Sequence, residues 1–202
     1  MLIKSVVIDF GGVLVRTLDR SYRQKWEQKL GLSDGKLEEL VFNSSVTSMS
    51  TIGQASQDEI WGSVQDNLSL NTKELEKLKV DFWEGDFIDT TLMDSVKSLR
   101  PKFRTAILSN AWMGARELFK DVYNIIEGET VDKIIVSCEV GLVKPDPDIY
   151  RHTAKQMDVQ LGEILFIDDF KKNIDSASKL GMKTHLFSIP EEAIELLNSL
   201  VR

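Results

Sequence analysis

Residues 6–15 read VVIDFGGVLV: apolar and β-branched letters, one carboxylate at Asp9, then a Gly–Gly pair. Together with the preceding residues the run becomes IKSVVID (3–9), which lacks the polar alternation of a half-wetted strand. Such a run is what a parallel strand covered on both faces looks like. The same pattern recurs in RTAILSN (104–110), KIIVSC (133–138), EILFIDD (163–169) and KTHLFSI (183–189). Helical patterns separate or follow the later runs, at 113–126, 148–157, 172–180 and 190–201. This alternation predicts an α/β protein with a doubly wound (Rossmann-like) parallel sheet.

Residues 16–88 interrupt that order with helical patterns and no convincing strand. SYRQKWEQKLG (21–31) stops at a glycine, SQDEIWGSVQDNL (56–68) opens with Ser56 and Glu59 at capping-box spacing, and NTKELEKLKVDFW (71–83) repeats this with Asn71 and Glu74. The Ser- and Gly-bearing stretch 43–56 reads as a loop. The expected organisation is an α/β core from 1–15 and 89–202, with a helical insertion at 16–88.

Composition sets the outer limits. Of 202 residues, 42% are hydrophobic and 28% charged, as in ordinary soluble enzymes. A net charge of −7 with no basic cluster argues against nucleic acid as a partner. No run of about 18 apolar residues is present, so no membrane span is expected. The single cysteine, Cys138, cannot close an intramolecular disulfide, and the start MLIKSVVIDF lacks the pattern of a secretory signal. A cytoplasmic protein is the expectation. Oligomeric state is not legible.

In a doubly wound sheet, ligands sit beyond the carboxyl ends of the strands. Those ends carry Asp9, then Ser109 and Asn110, then Lys144 a few residues past the third run, then Asp168 and Asp169. Asp9 can attack phosphorus as a nucleophile. A hard cation such as Mg²⁺ takes oxygen ligands of the kind Asp9, Asp168 and Asp169 supply. Ser109 can donate to a phosphoryl oxygen, and the Lys144 ammonium can neutralise charge on the nucleophile and the transferring group. Each also has an ordinary reading: Ser109–Asn110 as a turn, Asp146 and Pro147 as the start of a helix, the acidic pair as a cap. His152 and His185 lack metal-ligand spacing. Trp26, Trp61 and Trp83 read as core, with one of them a candidate to stack on a substrate ring. Cys138 reads as a small buried apolar residue.

With those residues in order, the chain resembles the haloacid-dehalogenase (HAD) superfamily of phosphotransferases over nearly its whole length. VVIDFGGVLV resembles the first motif of that family, AILSNA the second, GLVKPDPDIY the third and FIDDFKKNIDSASKLGM the fourth. The resemblance implies Asp9 as nucleophile, Ser109 and Lys144 as catalytic partners, and phosphate contacts from Ser109, Asn110, Gly11 and Lys144. It also implies a Mg²⁺ site from Asp9, the Gly11 carbonyl, Asp168 and Asp169, with Asn173 orienting the metal aspartate, and a small helical cap at 16–88.

The sequence departs from the family at Gly11, where most phosphatases of this kind carry a second aspartate that serves as general acid and then base. Such help is typically worth ~10²–10⁴-fold. The implied function is a Mg²⁺-dependent phosphatase for a small phosphorylated metabolite, slow if nothing replaces that acid. Some members resembling sugar-1-phosphate phosphatases share this glycine. Arg16 and Asp19 are the nearest charged residues to assist. The alternatives are a regulatory or phosphate-binding protein with attenuated turnover, and carbon–halogen cleavage, against which the retained Asp168–Asp169 pair argues. A response-regulator receiver is disfavoured because its acidic pair follows the first strand.

Overall fold

The computed structural model describes residues 2–201. Strand β1 (Ser5–Ile8) is buried along its whole length and pairs in parallel with two neighbours, β4 (Arg104–Ser109) and β6 (Ile164–Asp168). Between β1 and β4 the chain forms β2 (Val15–Thr17), α1 (Ser21–Leu30), α2 (Lys36–Phe42), α3 (Ser45–Ser50), α4 (Gln57–Leu68), α5 (Thr72–Trp83), β3 (Asp86–Ile88) and α6 (Thr90–Ser98). After β4 come α7 (Ala115–Asp121), β5 (Lys133–Val136), α8 (Ser137–Val140) and α9 (Pro147–Gln156), and after β6 come α10 (Lys171–Lys179), β7 (Lys183–Leu186) and α11 (Pro190–Ser199). The five-stranded sheet has the order β5-β4-β1-β6-β7 and is parallel throughout.

Both faces of this sheet are covered, as the unbroken apolar runs require. Val6 and Ile8 point to one layer with Leu92, Val96, Phe119, Ala193 and Leu197 of α6, α7 and α11. Val7, Ala106, Leu108 and Phe166 point to the other, against Ile149, Tyr150, Ile174 and Ala177 of α9 and α10. The strand order reverses beside β1, so the carboxyl ends of β1, β4 and β6 face one crevice. No helix among the described residues is long and apolar enough to cross a membrane.

Helices α1, α2, α4 and α5 enclose an apolar cluster, with Trp26, Leu37, Trp61, Leu78 and Phe82 inside it. The capping boxes expected at Ser56/Glu59 and Asn71/Glu74 both form. Three local expectations need correction. The interval 16–88 does hold strand: β2 and β3 pair antiparallel through Val15↔Ile88, Arg16↔Phe87 and Thr17↔Asp86 and make a neck below the helices. Three-residue strands are too short to show a period. The stretch 43–56 is not all loop, because the Ser44 side chain accepts the Thr47 amide and starts α3. The helix expected over 113–126 is only α7, ending before Asn124, which takes a left-handed φ of 53°.

The neck is tied to the helices by Arg23, buried in α1, which donates to the Phe82 carbonyl at 2.8 Å and to Asp86 at 2.7 Å. Its guanidinium carbon lies 4.1 Å from the centroid of the Phe82 ring, and Phe82 meets Phe42, Trp61 and Trp83 at 5.4, 5.6 and 4.8 Å. We expect Phe82→Ala to cost about 3–5 kcal/mol, read as a lower urea midpoint by tryptophan fluorescence. A change below about 1 kcal/mol would show that the helical cluster does not fold as a unit with the rest.

Candidate active site

The sheet register builds the site. Ile8 pairs with Ile107 on one side and Ile167 on the other, so Asp9, Leu108 and Asp168 stand at one level, with Ser109 and Asp169 one residue beyond. The Asp9 amide donates to the Ile167 carbonyl at 2.9 Å, holding the end of β1 to β6. Immediately after, the chain turns: the Val15 amide bonds the Phe10 carbonyl and the Gly12 amide bonds the Val15 carbonyl, both at 2.9 Å. Gly12 has φ 81°, and an added Cβ there would run into the Asp169 carboxylate. Gly12 is thus the position where backbone must pass close to the acidic pair. Gly11 differs: a Cβ there meets nothing within 4 Å.

Lys144 joins the strand ends. Its buried ammonium lies 2.7 Å from Asp9 Oδ1 and 2.8 Å from Asp168 Oδ2. The loop that carries it is fixed at several points. The Asn110 amide group donates to the Lys144 carbonyl and accepts the Lys144 amide, each at 2.8 Å. Asp146 caps α9 through the Asp148 amide with Pro147 in the first turn, and Ser176 donates to the Pro145 carbonyl at 2.7 Å. Asn110, expected to contact phosphate, therefore has its side chain committed to holding Lys144.

The carboxylates are not equivalent. Asp168 is fully enclosed and accepts from Lys144, from the Phe170 amide at 2.8 Å and from Asn173 at 2.9 and 3.1 Å. Asn173 is itself buried, and its backbone carbonyl accepts the Tyr150 hydroxyl at 3.0 Å. Asp9 uses Oδ1 for Lys144 and for the Phe10 amide at 2.7 Å, while Oδ2 has no hydrogen bond among the described residues. Asp169 Oδ1 is buried with no partner. Burial drives the Asp9 carboxyl up to about 7, against the pull of Lys144 and with the help of Asp168 and Asp169. Burial and Asp168 also raise Asp169.

Three carboxylates here offer oxygens within 4.8 Å of one another and are matched by one ammonium. Two negative charges stay uncompensated in a low-dielectric crevice, with an orphaned oxygen on Asp169. A divalent cation with a preference for oxygen ligands fits that deficit, and the residues present can hold it. The Gly11 carbonyl accepts no hydrogen bond among the described residues, so it stays available as a further oxygen.

Of the expected site residues, the structure brings Asp9, Lys144, Asp168, Asp169 and Asn173 into one connected cluster, with Ser109 buried at the same crevice and Asn110 behind Lys144. Arg16 and Asp19 are engaged elsewhere. Arg16 pairs with Asp89 at 2.8 Å and donates to the Val13 carbonyl, and Asp19 accepts the Ser21 amide. Gly12 and the clamp made by Asn110 escaped the sequence reading. A glycine pair after a strand signals a turn, and what lies opposite it depends on Asp169, far along the chain.

The family model described as "Hydrolase: haloacid dehalogenase-like hydrolase" matches residues 3–181. A curated D-ribitol-5-phosphate phosphatase of Bacteroides thetaiotaomicron is 29% identical over 192 residues, covering 91% of each chain. A HAD-like family hydrolase of known structure from Porphyromonas gingivalis superposes with TM-score 0.77 at 26% identity, covering 100% of this chain and 99% of that one. A HAD family enzyme from B. thetaiotaomicron, solved with magnesium and inorganic phosphate, gives TM-score 0.73 at 23% identity over 92% of this chain and 94% of that one.

The close approach at Gly12 makes a direct test. Gly12→Ala combines a left-handed backbone, costing about 1–2 kcal/mol for an L-residue, with displacement of the Asp169 carboxylate. We expect calorimetric titration with Mg²⁺ to show affinity at least about tenfold weaker, in the range seen when groups supporting a ligand are lost. Unchanged affinity in a folded variant would remove Asp169 from the cation site.

Proposed function

The chain belongs to the haloacid dehalogenase-like hydrolases, and from that premise we propose that it is a Mg²⁺-dependent phosphatase acting on a small phosphorylated metabolite through Asp9. The observation that carries the reading is the single Lys144 ammonium between Asp9 and Asp168, which leaves the other Asp9 oxygen free. The B. thetaiotaomicron relative named as a phosphatase supports the reaction type.

In this reading Asp9 Oδ2 forms a bond to phosphorus as the bond from phosphorus to the leaving oxygen breaks, giving an aspartyl phosphate and the free alcohol once that oxygen gains a proton. Water then attacks phosphorus, and the carboxylate of Asp9 and inorganic phosphate are released. Lys144 holds Asp9 in line and offsets charge on the transferring group, while Ser109 donates to a phosphoryl oxygen. Asn110 and Asn173 act through Lys144 and Asp168, keeping each in place. Bound Mg²⁺, held by Asp9, Asp168, Asp169 and the Gly11 carbonyl, would neutralise the charge of the phosphoryl oxygens. The helices of 16–88 act as the cap over this crevice.

At Gly11 no side chain is present to protonate the leaving oxygen, and the partners of Arg16 and Asp19 keep both occupied. Leaving groups of low basicity should therefore react fastest. This favours good leaving groups, and in the limit the protein binds phosphate with little turnover.

Hydrolysis of p-nitrophenyl phosphate should require Mg²⁺, disappear with EDTA, and fall by at least about 10³-fold in Asp9→Asn. Turnover unchanged in that variant would sink the proposal, and no turnover in the native protein would leave the regulatory reading. Since the space at Gly11 is open, Gly11→Asp should fit without strain. It should raise kcat on alkyl phosphates by about tenfold or more, and on p-nitrophenyl phosphate by much less. Equal gains on both would count against a missing general acid.

A further inference from the structure

Where the helical insertion meets the sheet domain, three aromatic rings come together from distant parts of the chain. Phe42 ends α2, Trp83 ends α5, and Trp112 lies three residues beyond Ser109. The Phe42 and Trp112 rings are nearly parallel, with centroids 6.2 Å apart at an angle of 19°. Trp83 lies 5.8 Å from Phe42 and 6.2 Å from Trp112. Trp83 and Trp112 pack against the outside of the helical cluster, whose buried interior is made by Trp26, Trp61 and Phe82 among others. Phe42 keeps 39% of its surface exposed, and both tryptophans are only partly buried.

The insertion approaches the sheet domain closely at one further point, and the segment before Trp112 is held within the sheet domain. Gly53 sits against the Cys138 carbonyl of α8, and Ser137 of α8 bonds both the amide and the carbonyl of Ala111, at 3.0 and 3.2 Å. Trp112 is thereby anchored next to the crevice. Three residues span at most about 11 Å, so its backbone lies within the reach of a ring-bearing group attached to a phosphate at Ser109.

Most hydroxyls of the neighbouring segment bond within the insertion. In the segment that follows Phe42, Ser44 accepts the Thr47 amide, Thr47 donates to the Val41 carbonyl, Ser48 to the Ser44 carbonyl and Thr51 to the Ser48 carbonyl. On the opposite side Asn110 is committed to Lys144. Ser50 of the same segment is the exception, buried with no partner for its Oγ, so this part of the seam offers mainly aromatic surface with one hydroxyl left over.

We propose that Phe42, Trp83 and Trp112 form a wall that receives the alcohol portion of the substrate, and that this portion is an apolar ring or hydrocarbon chain rather than a polyol. The proposal rests on the phosphatase reading for its substrate, but the wall is testable by binding alone. Aromatic surface contributes to binding through the area it buries and through ring–ring geometry, whereas a polyol placed there would lose hydrogen bonds to water without replacement. A purely structural staple between insertion and sheet would affect all ligands alike.

The test is calorimetric titration of the full chain, at saturating Mg²⁺, with two non-hydrolysable probes: 1-naphthylmethylphosphonate and 2,3-dihydroxypropylphosphonate. The naphthyl probe should bind at least about tenfold tighter. Phe42→Leu and Trp112→Leu, which remove a ring but keep most of the volume, should each shrink that ratio by about threefold or more, and Phe42→Tyr should preserve it. Equal affinities in the native protein, a ratio unmoved by both leucine variants, or binding of neither probe would each overturn the wall. A retained naphthyl preference in a protein that hydrolyses neither p-nitrophenyl nor naphthyl phosphate would keep the wall and overturn the phosphatase reading.

Discussion

The ammonium of Lys144 is the contact on which the site depends. It is buried, it lies within 2.8 Å of carboxylates from β1 and β6, and it is the one cation among the described residues in direct contact with both. Breaking such a pair from one side leaves an uncompensated buried charge, which costs several kcal/mol. Much of the surrounding structure serves to keep that cation where it is. Asn110 holds its backbone from β4, Asp146 and Ser176 hold the turn that follows, and Asn173 holds the far side of Asp168.

That arrangement still leaves the crevice short of positive charge. Burial, helped by the neighbouring carboxylates, raises Asp9 and Asp169, and one oxygen of Asp169 is left buried without a partner. A divalent cation supplies the positive charge that this set of carboxylates lacks. The site is thus built as an incomplete set whose remaining members arrive with the ligands. Gly11 and Gly12 divide the labour of the turn above it. Gly12 lets backbone pass the Asp169 carboxylate, while Gly11 leaves space that other chemistry would fill.

The helical insertion folds around its own apolar cluster and is fastened by Arg23 to the short antiparallel neck. Its contacts with the sheet domain are sparse but specific, at Gly53 against α8 and at the rings of Phe42, Trp83 and Trp112. The insertion thus keeps a core of its own, on which Trp112 of the sheet domain also packs. Of the tryptophans considered as stacking candidates from sequence, Trp26 and Trp61 are core, and Trp83 is the one at the seam.

By itself the sequence determined the parallel sheet and the chemical inventory at its edge. Strands covered on both faces need unbroken apolar runs, and the residue ending each run falls at the carboxyl edge whatever the details of packing. Asp9, Ser109, Asp168 and Asp169 were legible for that reason, and the capping boxes at Ser56 and Asn71 because they involve neighbours three residues apart. Tertiary structure alone decided the rest. Lys144 meets both carboxylates because strands β1 and β6 lie side by side. Asn110 holds a lysine rather than facing outward because a loop 34 residues later passes beside it. Trp112 meets Phe42 and Trp83 only because the insertion packs beside the end of β4. Each of these depends on distances between segments remote in the chain, and periodicity and spacing record only what is near along it.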